Sequence, residues 1–225
     1  MFMRLLDASY ETTVYYENDS RAFDCYAMRP PDVIQDLIGR SPSRVVVVKA
    51  LHEAHLIASL LDRFAPANAL WIVRGFEGVV NSSLHHWPGW RNKIDQLVED
   101  RGAADWRGLG MTDETYSILR AHYRPGLSDA SAQALFWYYR HQLFFDQRLE
   151  RDPRVATVVY EETIGTPQAV AQRIANFLNV KPTARMARIA QTQPTPHVPV
   201  DVSPEIRELC TLMQQRLLEA HRYNL

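Results

Sequence analysis

Short runs of β-branched residues alternate along the chain with stretches whose apolar residues recur at helical spacing. Thr13 to Tyr16, Arg44 to Val48, Ala69 to Val73 and Val155 to Tyr160 each predict a strand. The run from Arg44 to Val48 has no polar alternation, the pattern of a strand covered on both faces. Helices are predicted over Pro31 to Ile38, about Glu53 to Phe64, from just after Arg74 through Ser82, and from Ser128 or Asp129 to about Arg151. Thr166-Pro167 and Ser203-Pro204 each place a capping hydroxyl before a proline and open two more. Phe2 to Ala8 reads as the tail of a helix, and Trp87 to Thr112, rich in Trp, Gly and charge, as irregular. Gln191 to Pro199 carries three prolines and reads as a surface loop. Strands alternating with helices indicate an α/β fold with a largely parallel sheet. No repeat or long linker divides the 225 residues, so a single domain is expected, with its core in 1–180 and a C-terminal loop and helix in 181–225.

Composition narrows the possible functions. Lys and Arg number 25 against 26 Asp and Glu, a formal net charge of −1. That balance disfavours non-specific binding to nucleic acid or a membrane surface, yet leaves room for a local basic site that takes a small anion. The longest apolar run ends at Lys49, far short of the roughly 20 residues of a membrane span. With no signal peptide in view, the expectation is a cytoplasmic protein. Cys25 and Cys210 make no disulfide framework. His52 and His55 stand three apart, not the four of H-E-x-x-H, and His85-His86 has no partners in the sequence, so no metal site is expected.

Four strand ends carry candidate chemistry, because ligands of open α/β sheets collect at the carboxyl edge. Arg74 ends one strand and Ser82 follows eight residues later. An Arg there can clamp a phosphate and the hydroxyl can donate to the same group. The plainer alternative is an Arg on loop carbonyls and a Ser on a solvated helix face. Lys49 ends another strand and is either a point charge for a leaving phosphate or a residue bounding the sheet. Tyr160 ends a third, where a phenol can meet a nucleobase edge. Glu17 and Asp19 follow the first strand; either carboxylate can act as a general base, or cap the Asn18-Asp19-Ser20 turn. His52 is a further candidate base. Trp87, Trp90 and Trp106, with Phe136, Trp137, Tyr138 and Tyr139, can line an acceptor pocket, although helical spacing makes Phe136 and Tyr139 core residues first.

Taken in order, these stretches resemble the nucleotide-binding core of sulfotransferases that use 3′-phosphoadenosine 5′-phosphosulfate (PAPS). That family has a strand ending in V-R-D-P, then a Ser eight residues after the Arg, and both grip the 3′-phosphate; Arg74 and Ser82 match, with Gly75-Phe76 in place of Asp-Pro. Lys49 and the Phe64-Ala65-Pro66-Ala67 break resemble the family's strand-end Lys and its following F-P-x-A. Tyr160-Glu161-Glu162-Thr163 and Ile174-Ala175-Asn176-Phe177-Leu178-Asn179-Val180 are similar to its Y-E-D-L and I-A-x-F-L-G-V segments, the Tyr approaching adenine. The resemblance covers roughly Met1 to Val180.

What it implies is a P-loop-NTPase-like parallel sheet flanked by helices, with PAPS as co-substrate, no metal, and a small-molecule or glycan acceptor. Lys49 would stabilise the leaving phosphate, and the base would be Glu17, then Asp19, then His52. No Gly-Thr-rich phosphate loop precedes the first helix, so the first strand and its 5′-phosphosulfate loop are expected to be missing at the N-terminus. A non-catalytic nucleotide-binding remnant is therefore an alternative. A kinase-like P-loop protein is another, which the lack of G-x-x-x-x-G-K-[ST] disfavours.

Overall fold

The computed structural model describes residues 1–102, 105–190 and 199–223, and of residues 187, 190, 222 and 223 the backbone only. The elements run α1 (Phe2–Leu6), β1 (Thr12–Tyr15), β2 (Phe23–Asp24), β3 (Ala27–Met28), α2 (Pro31–Arg40), β4 (Val45–Val48), α3 (Ile57–Arg63) and β5 (Ala69–Val73). They continue with α4 (Phe76–His86), α5 (Trp90–Glu99), α6 (Asp113–His122), α7 (Asp129–Asp146), β6 (Val155–Val159), α8 (Tyr160–Gly165), α9 (Pro167–Phe177), α10 (Ala184–Ala190) and α11 (Pro204–Tyr223). The fold is mixed α/β. Among the described residues the strands form three two-stranded ladders, β1 with β4, β2 with β3 and β5 with β6, where the sequence suggests one larger sheet.

The chain divides into two compact units, neither continuous in sequence: residues 1–72 with 158–190, and residues 73–157 with 199–223. The boundary passes through β5 and β6.

In the first unit β1 and β4 are parallel, with Thr12 opposite Val45 and Tyr15 opposite Val48. The β4 valines are half-buried, less covered than their unbroken apolar run suggests. One apolar cluster collects Leu5 and Leu6 of α1, Val14 of β1, Val158 of β6, Val170 and Ile174 of α9, and Met186 of α10. A second gathers Tyr15, Ala22, Phe23 and Ile34. The β2–β3 hairpin turns on Cys25 (φ 47°) and Tyr26 (φ 68°), two left-handed residues that no turn signal in the sequence marks. The helix expected over Glu53 to Phe64 is split into a 3₁₀ turn, His52–Leu56, and α3. Buried Glu53 accounts for the break: its Oε1 accepts the Met28 N–H at 2.7 Å, which draws the turn onto β3. Tyr160 opens a six-residue helix, α8, where the sequence suggests a turn.

In the second unit α7 is the central element. Thirteen of its 18 residues are buried, as expected of a helix apolar on every side, and α4, α5 and α11 pack around it. It stops at Asp146 rather than near Arg151, because Arg148 adopts φ 56° and turns the chain. Ser128 caps α7 through the Ser131 N–H. Asp129 serves a different helix, its carboxylate accepting the N–H groups of Gly89 (3.2 Å) and Arg91 (2.8 Å) at the start of α5. α5 lies inside the stretch read as irregular; Trp90, Ile94 and Leu97 are its buried stripe at helical spacing. The loop expected over Gln191 to Pro199 falls, but for Pro199, outside the described residues.

Candidate active site

Glu17, Asp19, Lys49, His52 and Tyr160 lie in the first unit, and Arg74 and Ser82 in the second. The β1–β4 register brings Glu17 and Lys49 together. Tyr15 and Val48 are opposite in a parallel pair, so the residues just beyond them leave the same carboxyl edge. Lys49 Nζ donates to Glu17 Oε1 in a half-buried ion pair. Burial pushes the Glu17 carboxyl up. The Lys49 hydrogen bond, a backbone hydrogen bond and the charges of Lys49 and the Met1 ammonium outweigh it, and the group sits below its ordinary value. Glu17 is thus an anion fixed beside a cation.

Asp19 does not join this pair. Arg21 holds both its oxygens, Nε to Oδ1 at 3.0 Å and Nη2 to Oδ2 at 2.6 Å, and the Arg21 N–H adds a third bond at 3.0 Å. The Arg21 hydrogen bonds hold the carboxyl below its usual range. Asp19 is the capping residue of the turn. His52 begins the 3₁₀ turn, and its carbonyl lies 3.2 Å from His55 Nδ1. Tyr160 is half-buried at the first position of α8, directly after β6.

In the second unit Arg74 follows β5 and precedes α4. Its carbonyl accepts the indole N–H of Trp137 at 3.1 Å, which fixes the backbone at the strand end to α7. Its guanidinium lies over Gly78: a Cβ added there would stand 3.1 Å from Arg74 Nε and 3.4 Å from Nη2. Ser82, half-buried, is one turn further along the same face of α4, since positions four apart stack on a helix. Ser83, not Ser82, points into the unit and bonds Gln133 Oε1 at 3.2 Å. The sequence assigns Gly78 no role, and it places Trp137 only among the aromatic residues of an acceptor pocket, not at Arg74. The 74–78–82 spacing carries a signal for the first; the indole bond links residues 63 apart and has none.

Of the aromatic residues, Trp90, Phe136, Trp137, Tyr138 and Tyr139 are buried in the second unit's core, while Trp87 is 62% exposed and Trp106 half-buried. Among the described residues no group of three or more His, Cys, Asp or Glu stands ready for a metal ion. None of their helices is long and apolar enough to cross a membrane.

No protein-family model and no curated protein matches the chain. Among solved structures it is similar to a sulfotransferase domain from the curacin biosynthetic pathway, at 17% identity and a TM-score of 0.45. That match covers 69% of this chain and 46% of the other, so the chain spans less than half the length of that domain.

Proposed function

We propose that the chain is a PAPS-dependent sulfotransferase, a single cytoplasmic domain over 1–225 that moves a sulfuryl group to a hydroxyl or amine of a small-molecule or glycan acceptor. The observation that carries this reading is the Arg74 guanidinium resting on Gly78, one turn before Ser82 on the same face of α4. A planar fork of donors with a hydroxyl one helical turn further along the same face fits a phosphate monoester such as the nucleotide's 3′-phosphate. Tyr160 would meet the adenine.

In the reaction the acceptor oxygen or nitrogen bonds to sulfur as the sulfur–oxygen bond to the 5′-phosphate breaks. The leaving group is 3′-phosphoadenosine 5′-phosphate, and the acceptor proton passes to a base. Glu17 is the base of choice: ionised at neutral pH, it can accept that proton. Lys49 supplies positive charge where negative charge grows on the departing phosphate. Asp19, held by Arg21, is the lesser candidate, and His52 the third.

Calorimetric titration with 3′-phosphoadenosine 5′-phosphate tests the reading. Binding by the wild type that is lost in Arg74→Ala supports it; a wild-type chain that does not bind overturns it. The depressed Glu17 carboxyl favours a second reading, nucleotide binding without turnover, because a carboxylate well below neutral is a weak base. Incubation with radiolabelled PAPS and an acceptor panel separates the two, and Glu17→Gln lowering turnover while leaving nucleotide affinity intact assigns the base.

A further inference from the structure

In the second unit Arg207 of α11 reaches the first turn of α4. Its Nη1 donates to Glu77 Oε1, its Nη2 donates to the Val200 carbonyl at 2.7 Å, and the guanidinium stands 5.8 Å from the Phe76 ring centre. The helix that carries it is itself anchored to α7. The Ser203 N–H, at the start of α11, bonds Ser131 Oγ at 3.0 Å, and Cys210 Sγ donates to the Ala134 carbonyl at 3.3 Å. Arg207 thus works from a fixed base.

Phe76 and Glu77 lie in the turn that runs from Arg74 to Gly78, the glycine on which the Arg74 guanidinium rests. Phe76 also packs 5.9 Å from Trp137, whose indole holds the Arg74 carbonyl at 3.1 Å. Arg207 therefore touches two residues of the turn that carries Arg74 toward Ser82. Glu77 places a carboxylate in the first turn of α4, the end of a helix that draws negative charge. A phosphate gripped by Arg74 enters at the same end, and two anions there repel one another. Glu77 and Arg207 are both half-buried, where charge is screened less than in open water.

We propose that Arg207 is a positioning residue of the phosphate site, holding the Glu77 carboxylate toward α11 and offsetting its charge so that Arg74 and Ser82 can take the nucleotide's 3′-phosphate. This step rests on the sulfotransferase reading, which puts that phosphate on Arg74 and Ser82. It gives the C-terminal helix a part in nucleotide binding without contact between Arg207 and the ligand.

The full chain and its variants are titrated calorimetrically with 3′-phosphoadenosine 5′-phosphate. Arg207→Gln is expected to bind roughly fivefold more weakly or worse. Arg207→Lys, which keeps the charge, stays within about twofold of the wild type. The double variant Arg207→Gln with Glu77→Gln also returns to within about twofold, because the charge that needed offsetting is gone. Glu77→Gln alone binds at least as tightly as the wild type, and it decides the matter should Arg207→Gln fail to fold. A purely structural role for Arg207 predicts the reverse: the double variant stays as weak as Arg207→Gln, and Glu77→Gln weakens binding. Either of those results, or Arg207→Gln binding like the wild type, overturns the proposal and leaves the sulfotransferase reading standing. A wild type that does not bind the nucleotide overturns that reading and this inference with it.

Discussion

The indole N–H of Trp137 bonds the backbone carbonyl of Arg74, joining the central helix of one unit to the residue proposed to grip the nucleotide's 3′-phosphate. Trp137 is 2% exposed, and its ring stands 5.9 Å from Phe76 at the start of α4. Trp137→Phe keeps most of the packing and removes the donor. The loss to stability is about 1 kcal/mol, read from urea unfolding, and affinity for 3′-phosphoadenosine 5′-phosphate falls with it.

Gly78→Ala separates stability from binding. Alanine at an interior helical position gains about 0.5–1 kcal/mol over glycine. The new Cβ, however, meets Arg74 Nε at 3.1 Å and pushes the guanidinium aside. The variant is expected to unfold at higher urea and to bind the nucleotide several-fold more weakly. Unchanged affinity would show that the resting position of the Arg74 side chain does not matter for binding.

Glu17 titrates below its ordinary value, so its link to Lys49 stabilises the fold fully above pH 4.5 and loses that effect as pH falls through the lower native value. The difference in urea midpoint between wild type and Glu17→Gln should therefore shrink on acidification from pH 6 to pH 3. In Lys49→Met the carboxyl loses its hydrogen bond and nearest charge while burial remains, so its pKa rises, which carboxyl carbon NMR would register.

His141 is held down to about 4 by burial, against an ordinary 6.5. The unfolded chain takes up a proton at this residue below pH 6.5 and the native one does not until about pH 4. Stability contributed here is thus present above 6.5 and falls across that window, by up to about 3 kcal/mol. His141→Phe, which cannot titrate, should flatten the slope of unfolding free energy against pH between 6.5 and 4.

Asp129→Ala leaves two N–H groups at the start of α5 without their acceptor. The expected cost is about 1 kcal/mol, with helical signal lost from α5, whereas α7 keeps its own cap on Ser128. Hydrogen exchange at Arg91 would rise in this variant and stay unchanged in Ser128→Ala.

Elements with their own local signal are legible in the chain. β5 is the Ala69 to Val73 run to the residue, and α9 and α11 begin at the two prolines that follow a hydroxyl residue. Thr166 stands at the N-cap position as read, but its hydroxyl donates to the Glu162 carbonyl at 3.2 Å instead of capping. α5 was hidden because composition dominated the reading: Gly, Trp and charge masked the spacing of Trp90, Ile94 and Leu97, and the cap that starts the helix comes from Asp129, 40 residues from Gly89. The turn at Cys25-Tyr26 carries neither Gly nor Asn, so only the paired strands reveal it.

Sequence alone determined the alternation of strands and helices, the strand ends that carry Lys49, Arg74 and Tyr160, and the near-neutral charge. These follow from periodicity and chain-local sterics, which act over a few residues. Tertiary structure decided that Glu17 is Lys49's partner while Asp19 is Arg21's, that Gly78 carries the Arg74 guanidinium, and that Arg107 and Arg140 both lie over Trp106. The Glu17–Lys49, Trp137–Arg74 and Arg140–Trp106 contacts join residues far apart in the chain. Which strand pairs with which, and in what register, is set by burial of whole faces, and no local pattern contains it.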